Sequence, residues 1–146
     1  MARSPLAAIL LALAVTTNAD SIIEEPTFSS PDSRSWVVMV TQPGCSFCTR
    51  LEREILQPLR ASGEFQEKVR FTTVDIGVAS PMIDFDGSKT TTVKFANRYQ
   101  GFGTPTLLFL SPEGDALAPP KFGFFFFKQK TAYEIEETIR NLPAVN

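Results

Sequence analysis

A chain of 146 residues with a formal net charge of −2 and 43% hydrophobic residues has room for one domain with a sizeable core. Its balanced charge offers no basic surface for nucleic acid or an anionic membrane. It contains no histidine, which excludes Ser-His-Asp and Cys-His catalysis and leaves zinc a poor ligand set of two cysteines and carboxylates.

The first 19 residues read as a secretory signal. Arg3 supplies the positive end, Leu6 to Val15 form an uninterrupted apolar stretch, and Thr17-Asn18-Ala19 places small residues at the cleavage spacing. A bilayer span needs about 20 apolar residues, more than this stretch holds. No cysteine directly follows the stretch, as lipoprotein anchoring would require. The expected address is the periplasm, an oxidising space. Residues 20–35, with Pro26, Pro31 and several serines, read as a mobile lead-in, and residues 36–146 as the folded domain.

Trp36 to Thr41 is apolar and β-branched, as a buried strand should be. Gln42-Pro43-Gly44 breaks it, and Cys45-Ser46-Phe47-Cys48 follows with the only two cysteines of the chain. Thr49 to Leu59 then takes a helical period, with Leu51, Ile55, Leu56 and Leu59 on one face, and Pro58 is expected to kink or end it. This context puts Cys45 at or near a helix N-terminus, where unpaired N–H groups and the helix dipole favour thiolate over thiol. A thiolate with a second thiol one turn away is the minimum apparatus for making or breaking disulfides.

Ser62-Gly63 turns the chain, Glu64 to Lys68 suits one helical turn, and Val69 to Ile76 is a second strand. Gly77 to Lys89 reads as a loop; its Asp-Phe-Asp-Gly lacks the third acidic ligand and the terminal Glu of a calcium loop, so a turn is the better reading. Thr90 to Tyr99 has a helical pattern, with Val93, Phe95 and Ala96 inward, and Gly101-Phe102-Gly103 ends it. Thr104 to Leu110 is a strand entered through Pro105, the place in a strand where proline costs no ladder bond. Ser111 to Asp115 makes a hairpin turn to a returning strand, Ala116 to Phe122. The succession of strands and helices implies an α/β layer structure with a central mixed β-sheet flanked by helices.

The Cys-x-x-Cys between strand and helix, with Thr104-Pro105 opening a later strand and a Pro-Glu-Gly-Asp hairpin, resembles the thioredoxin-fold family over Trp36 to Gly123. It is most similar to exported bacterial thioredoxin-like proteins, which carry long insertions before the proline strand. The resemblance implies that Cys45 is the nucleophile towards a substrate disulfide and Cys48 the resolving thiol. It also implies a cis Pro105 beside the cysteines, leaving the Thr104 backbone to pair with an extended substrate. Four positions depart from thioredoxins proper: Gly44 stands for the aromatic residue before the first cysteine, and Phe47 for the proline between the cysteines. Met39 stands for the buried acid, and Phe71 for the neighbouring lysine. An internal proton relay is therefore expected to be absent or replaced by water, which argues against a cytosolic-style general reductase.

The resemblance thus implies an exported thiol–disulfide oxidoreductase acting on protein substrates, with reduction favoured over oxidation and no cofactor. Electrons would come from a membrane partner, and the short chain without a dimerisation domain is expected to be a monomer. The competing class is a thioredoxin-like binding module, a chaperone or a soft-metal carrier using the two thiols.

Phe124 to Phe127 followed by Lys128-Gln129-Lys130-Thr131-Ala132-Tyr133-Glu134-Ile135 has neither helical nor strand period. Written as codons, it matches a T tract followed by CAAGCAGAAGACGGCATACGAGAT, a common sequencing-library adapter. Residues 124–135 are therefore read as an artefact replacing the natural link to the last helix, of which Glu136 to Leu142 is native, with Ile139 and Leu142 inward. Resequencing from independent DNA is expected to give other codons over 124–135; recovery of the same Phe-rich codons would refute the artefact. N-terminal sequencing of exported protein is expected to start at Asp20, and a start at Met1 or Ala2 would refute signal cleavage.

Overall fold

The computed structural model describes residues 27–122 and 128–144. The expected signal segment 1–19, residues 20–26 of the lead-in and Phe124 to Phe127 lie outside the described residues. Four strands form the main sheet: β1 (Ser35–Thr41), β2 (Val69–Asp75), β5 (Thr106–Leu110) and β6 (Ala116–Phe122), in the order β2-β1-β5-β6. β2 runs parallel to β1, while β5 is antiparallel to both β1 and β6. The expected mixed sheet flanked by helices is the observed architecture. Pro105 stands just outside β5, which begins one residue later, because its nitrogen has no hydrogen to give a ladder.

β1 is buried along nearly its whole length, and its pleat divides the interior in two. Val37 and Met39 point to one face with Leu107 and Phe109, under Leu51, Ile55, Leu56, Leu59, Ile135 and Ile139. Trp36, Val38 and Val40 point to the other with Leu108 and Leu110, against Phe28, Met82, Phe95 and Ala96. Helices are therefore needed on both sides. They come from the crossover that a parallel β1–β2 pair demands, and from the segments that follow Thr91 and β6.

The crossover helix differs from the expected one at its proline. α1 (Ser46–Leu51) passes into a π-helical turn (Glu52–Leu56) and then α2 (Gln57–Ser62), so Pro58 neither ends the helix nor stands in its middle. Proline cannot donate and crowds the carbonyl four residues earlier. The ladder widens just before it, where the Gln57 N–H bonds the Glu52 carbonyl across five residues, and Pro58 falls in the first turn of α2. Gly63, at φ 71°, ends α2 in the left-handed conformation.

Two segments are more ordered than their composition suggests. From Thr27 onward the lead-in packs on the domain: Phe28 is 1% exposed, its ring 4.6 Å from Phe95 and 4.9 Å from Trp36. Asp32 accepts from Arg34 Nε at 3.0 Å, and the Arg70 guanidinium lies 3.6 Å over the Trp36 ring. One buried aromatic outweighs the local run of serine and proline. The expected loop at Gly77 to Lys89 holds a hairpin, β3 (Pro81–Ile83) with β4 (Lys89–Thr91), seated by the fully buried Met82. Its turn places Gly87 at φ 80°, and the Asp84 carboxylate is held by Arg98 at 2.5 and 3.1 Å.

The helix expected from Thr90 starts later, as α3 (Thr92–Arg98), because Thr91 caps it by accepting from the Lys94 N–H at 3.3 Å. Phe95 and Ala96 are buried as expected, whereas Val93 is half-buried and Thr92 takes the inward place. The last helix, α4 (Lys128–Asn141), starts inside the suspect segment and turns Thr131, Ile135 and Ile139 towards the core at helical spacing. Leu142, just beyond its end, is also buried.

Phe95 stacks on Phe28 with no exposed surface. Phe95→Ala is expected to lower unfolding free energy by about 3–5 kcal/mol in denaturant titration; a loss below about 1 kcal/mol would contradict this packing.

Candidate active site

The cysteines sit where β1 hands the chain to α1. Gly44, at φ 75°, makes the turn between them, and a Cβ there would meet nothing within 4 Å. The Cys45 N–H reaches back to the Gln42 carbonyl at 3.3 Å. The space is open, so it is the left-handed backbone that disfavours an aromatic side chain here and gives Gly44 a local physical reason. The turn is braced by the loop after the neighbouring parallel strand, at the same end of the sheet. A Cβ on Gly77, which follows β2, would lie 2.4 Å from Pro43 Cδ, so only glycine lets the two loops touch.

Cys45 is the N-cap residue of α1: its sulfur accepts from the Cys48 N–H at 3.1 Å. Ordinarily an oxygen of Ser, Thr, Asp or Asn does this, so the sulfur receives the donor that a cap oxygen would. Cys45 and Cys48 are joined in a disulfide, with Cα atoms 5.2 Å apart. The pair is asymmetric. Cys45 is partly exposed, whereas Cys48 is 3% exposed on the core side of the helix. An incoming sulfur therefore meets Cys45 first.

Thr104 and Pro105 are brought to the same end of the sheet. The antiparallel register sets Val40 opposite Thr106, so the strand end that leads to Cys45 lies beside the strand start that follows Pro105. The Thr104–Pro105 peptide bond is cis, Pro105 is buried and Thr104 half-buried. The Thr106 hydroxyl donates to the Gly103 carbonyl at 2.7 Å and fixes the bend before the strand. Gly103, Thr104, Pro105 and Thr106 line an apolar groove of about 360 Å³ with the exposed Phe102 and Phe122.

A second, open groove of about 690 Å³ runs along the cysteines and is lined by Met39, Pro43, Cys45, Cys48, Glu52 and Gln57, among others. Met39 is 3% exposed on β1 and brings no charge, and Phe71 on β2 packs on the same core with the Arg60 guanidinium 5.9 Å from its ring centre. The acid and lysine of thioredoxins proper are thus replaced by apolar packing. Glu52 is the residue that the motif reading missed. It lies four residues after Cys48, one helical turn away, a spacing that placing both on one helix would have disclosed.

The family model for a thioredoxin-like domain matches residues 27–120. No curated protein matches the chain. Among solved structures, the chain is similar to a thioredoxin-fold protein from Helicobacter pylori, at 17% identity and a TM-score of 0.52, covering 77% of this chain and 75% of that one. It is similar to a DsbH oxidoreductase at 17% identity and a TM-score of 0.54, covering 75% of each chain. It is also similar to a pneumococcal exposed lipoprotein thioredoxin from Streptococcus pneumoniae at 17% identity and a TM-score of 0.53, covering 79% and 90%.

Proposed function

This chain belongs to the thioredoxin-like domain family, and on that premise we propose that it is an exported thiol–disulfide oxidoreductase exchanging disulfides with protein substrates. The observation that carries the reading is the bonded pair of an accessible Cys45 and a buried Cys48 at the head of a helix. In reduction, the Cys45 thiolate attacks one sulfur of a substrate disulfide. The Cys45–substrate bond forms and the other substrate sulfur leaves as thiolate. Cys48 then attacks the Cys45 sulfur, the substrate's second sulfur leaves, and the protein keeps the disulfide seen here. Two electrons pass from protein to substrate. The reverse steps oxidise a substrate dithiol.

Reduction is the favoured direction, with a membrane protein resupplying electrons and the chain acting as a monomer without a cofactor. Thr104 and Pro105, at the same sheet end as Cys45, form the stretch proposed to align an extended substrate. Cleavage of residues 1–19 would deliver the domain to the periplasm. The exposed lipoprotein thioredoxin among its structural relatives supports that address.

A Cys48→Ser variant is expected to accumulate a mixed disulfide through Cys45 when offered a disulfide-bonded peptide, and Cys45→Ser to accumulate none, as read by intact-protein mass. Trapping on Cys48 in the Cys45→Ser variant would reverse the roles. Full biological activity retained by Cys45→Ser would favour the binding-module reading.

A further inference from the structure

Glu52 is half-buried in the groove beside the disulfide, and one oxygen of its carboxylate has no partner among the described residues. It lines the same groove as Cys48, and its N–H bonds back to the Cys48 carbonyl one helical turn earlier. One oxygen, Oε1, is taken by Arg60, which reaches it from the far side of the π-helical turn. The other, Oε2, is shut off from solvent and has no hydrogen-bond partner among the described residues. A buried carboxylate oxygen left without a donor is costly, and such groups in folded proteins call for an explanation. The π-helical turn starts at Glu52, and such turns are frequent at functional sites.

Reduction of the disulfide would add a donor to this groove. Cys48 then carries an S–H, buried in the same groove one helical turn before Glu52. We propose that Glu52 is the proton acceptor for the Cys48 thiol, in place of the acid that Met39 displaces from β1. The proposal rests on the thiol–disulfide reading above and names a further residue of that site. In the resolving step, the Cys48 proton passes to Glu52 as the Cys48 sulfur bonds to Cys45 and the Cys45–substrate bond breaks. The substrate sulfur leaves as thiolate with the bonding pair. Glu52 afterwards returns its proton to solvent or to that thiolate. In the reverse direction, protonated Glu52 gives the proton to Cys48 as it leaves.

The surroundings leave Glu52 as the acid–base group of the groove. Arg60 pairs with Oε1, and Arg53 also lines the groove. β1 contributes Met39 and Thr41, and the core beneath brings Phe71, Ile135 and Ile139. The charges of α4 are spent outward, Lys130 with Glu134 and Arg140 with Glu64 and Glu136.

The test follows fully reduced protein reacting with oxidised glutathione, by acid quench and mass spectrometry across pH. Glu52→Gln keeps the shape and an acceptor for Arg60. It is expected to slow decay of the Cys45–glutathione adduct about tenfold or more at neutral pH. It should also change the pH profile of that rate. Adduct formation, measured with Cys48 also changed to Ser, is expected to be unchanged, and Glu52→Asp to recover part of the resolving rate. An unaltered resolving rate and pH profile in Glu52→Gln would overturn the proposal, as would equal slowing of both steps, which marks a structural role alone. Wild-type protein that stays reduced in oxidised glutathione, with no adduct on Cys45 in Cys48→Ser, would instead overturn the thiol–disulfide reading itself.

Discussion

Everything at the site hangs on β1. It pairs in parallel with β2 and antiparallel with β5, and it is buried on both faces. With neighbours on both edges and packing on both faces, it has no freedom to slip, because a one-residue shift would exchange its two hydrophobic faces. The chain leaves it at Thr41, and the cysteines follow within one tight turn. The antiparallel partner fixes where Thr104 and Pro105 arrive. Rigid strands thus position a reactive loop, and the loop needs few contacts of its own beyond the Gly77–Pro43 brace.

Within that frame the two sulfurs are made unequal by burial and by the helix. Cys45 is open to a partner and sits as the helix cap, where its charge as a thiolate meets a backbone donor. Cys48 faces inward, where desolvation disfavours a thiolate and a nearby base becomes useful. In place of an acid on the strand, the chain offers Glu52 on the helix, held through Arg60, which also lies by the Phe71 ring. Met39, Phe71, Glu52 and Arg60 therefore read as one exchange of parts: apolar residues on the sheet and a charged pair on the helix.

Much of this was legible in the residues. The β-branched run of β1, the cysteine spacing and the Thr-Pro strand entry each express a local rule, and the structure places them as those rules require. The misses arise where tertiary packing overrides local composition. Phe28 lies among serines and prolines yet is drawn into an aromatic cluster, and Met82 seats a hairpin in a stretch dominated by turn residues. Pro58 signals a helix end, but the π-helical turn moves it to a first-turn position. Thr92 replaces Val93 on the inner face because its hydroxyl finds the Val78 carbonyl at 3.0 Å. Glu52 was hidden because its role depends on which oxygen of its carboxylate is already occupied, a fact of packing that no spacing states.

The central claim is that Cys45–Cys48 is an exchanging pair and not a staple. Equilibration of the protein with glutathione or dithiothreitol buffers, read by alkylation and mass, measures its reduction potential directly. The account predicts reversible titration at a potential nearer the roughly −270 mV of a thioredoxin than the roughly −120 mV of a strong oxidase. A pair that fails to titrate, or that stays oxidised below roughly −300 mV as structural disulfides do, would contradict it.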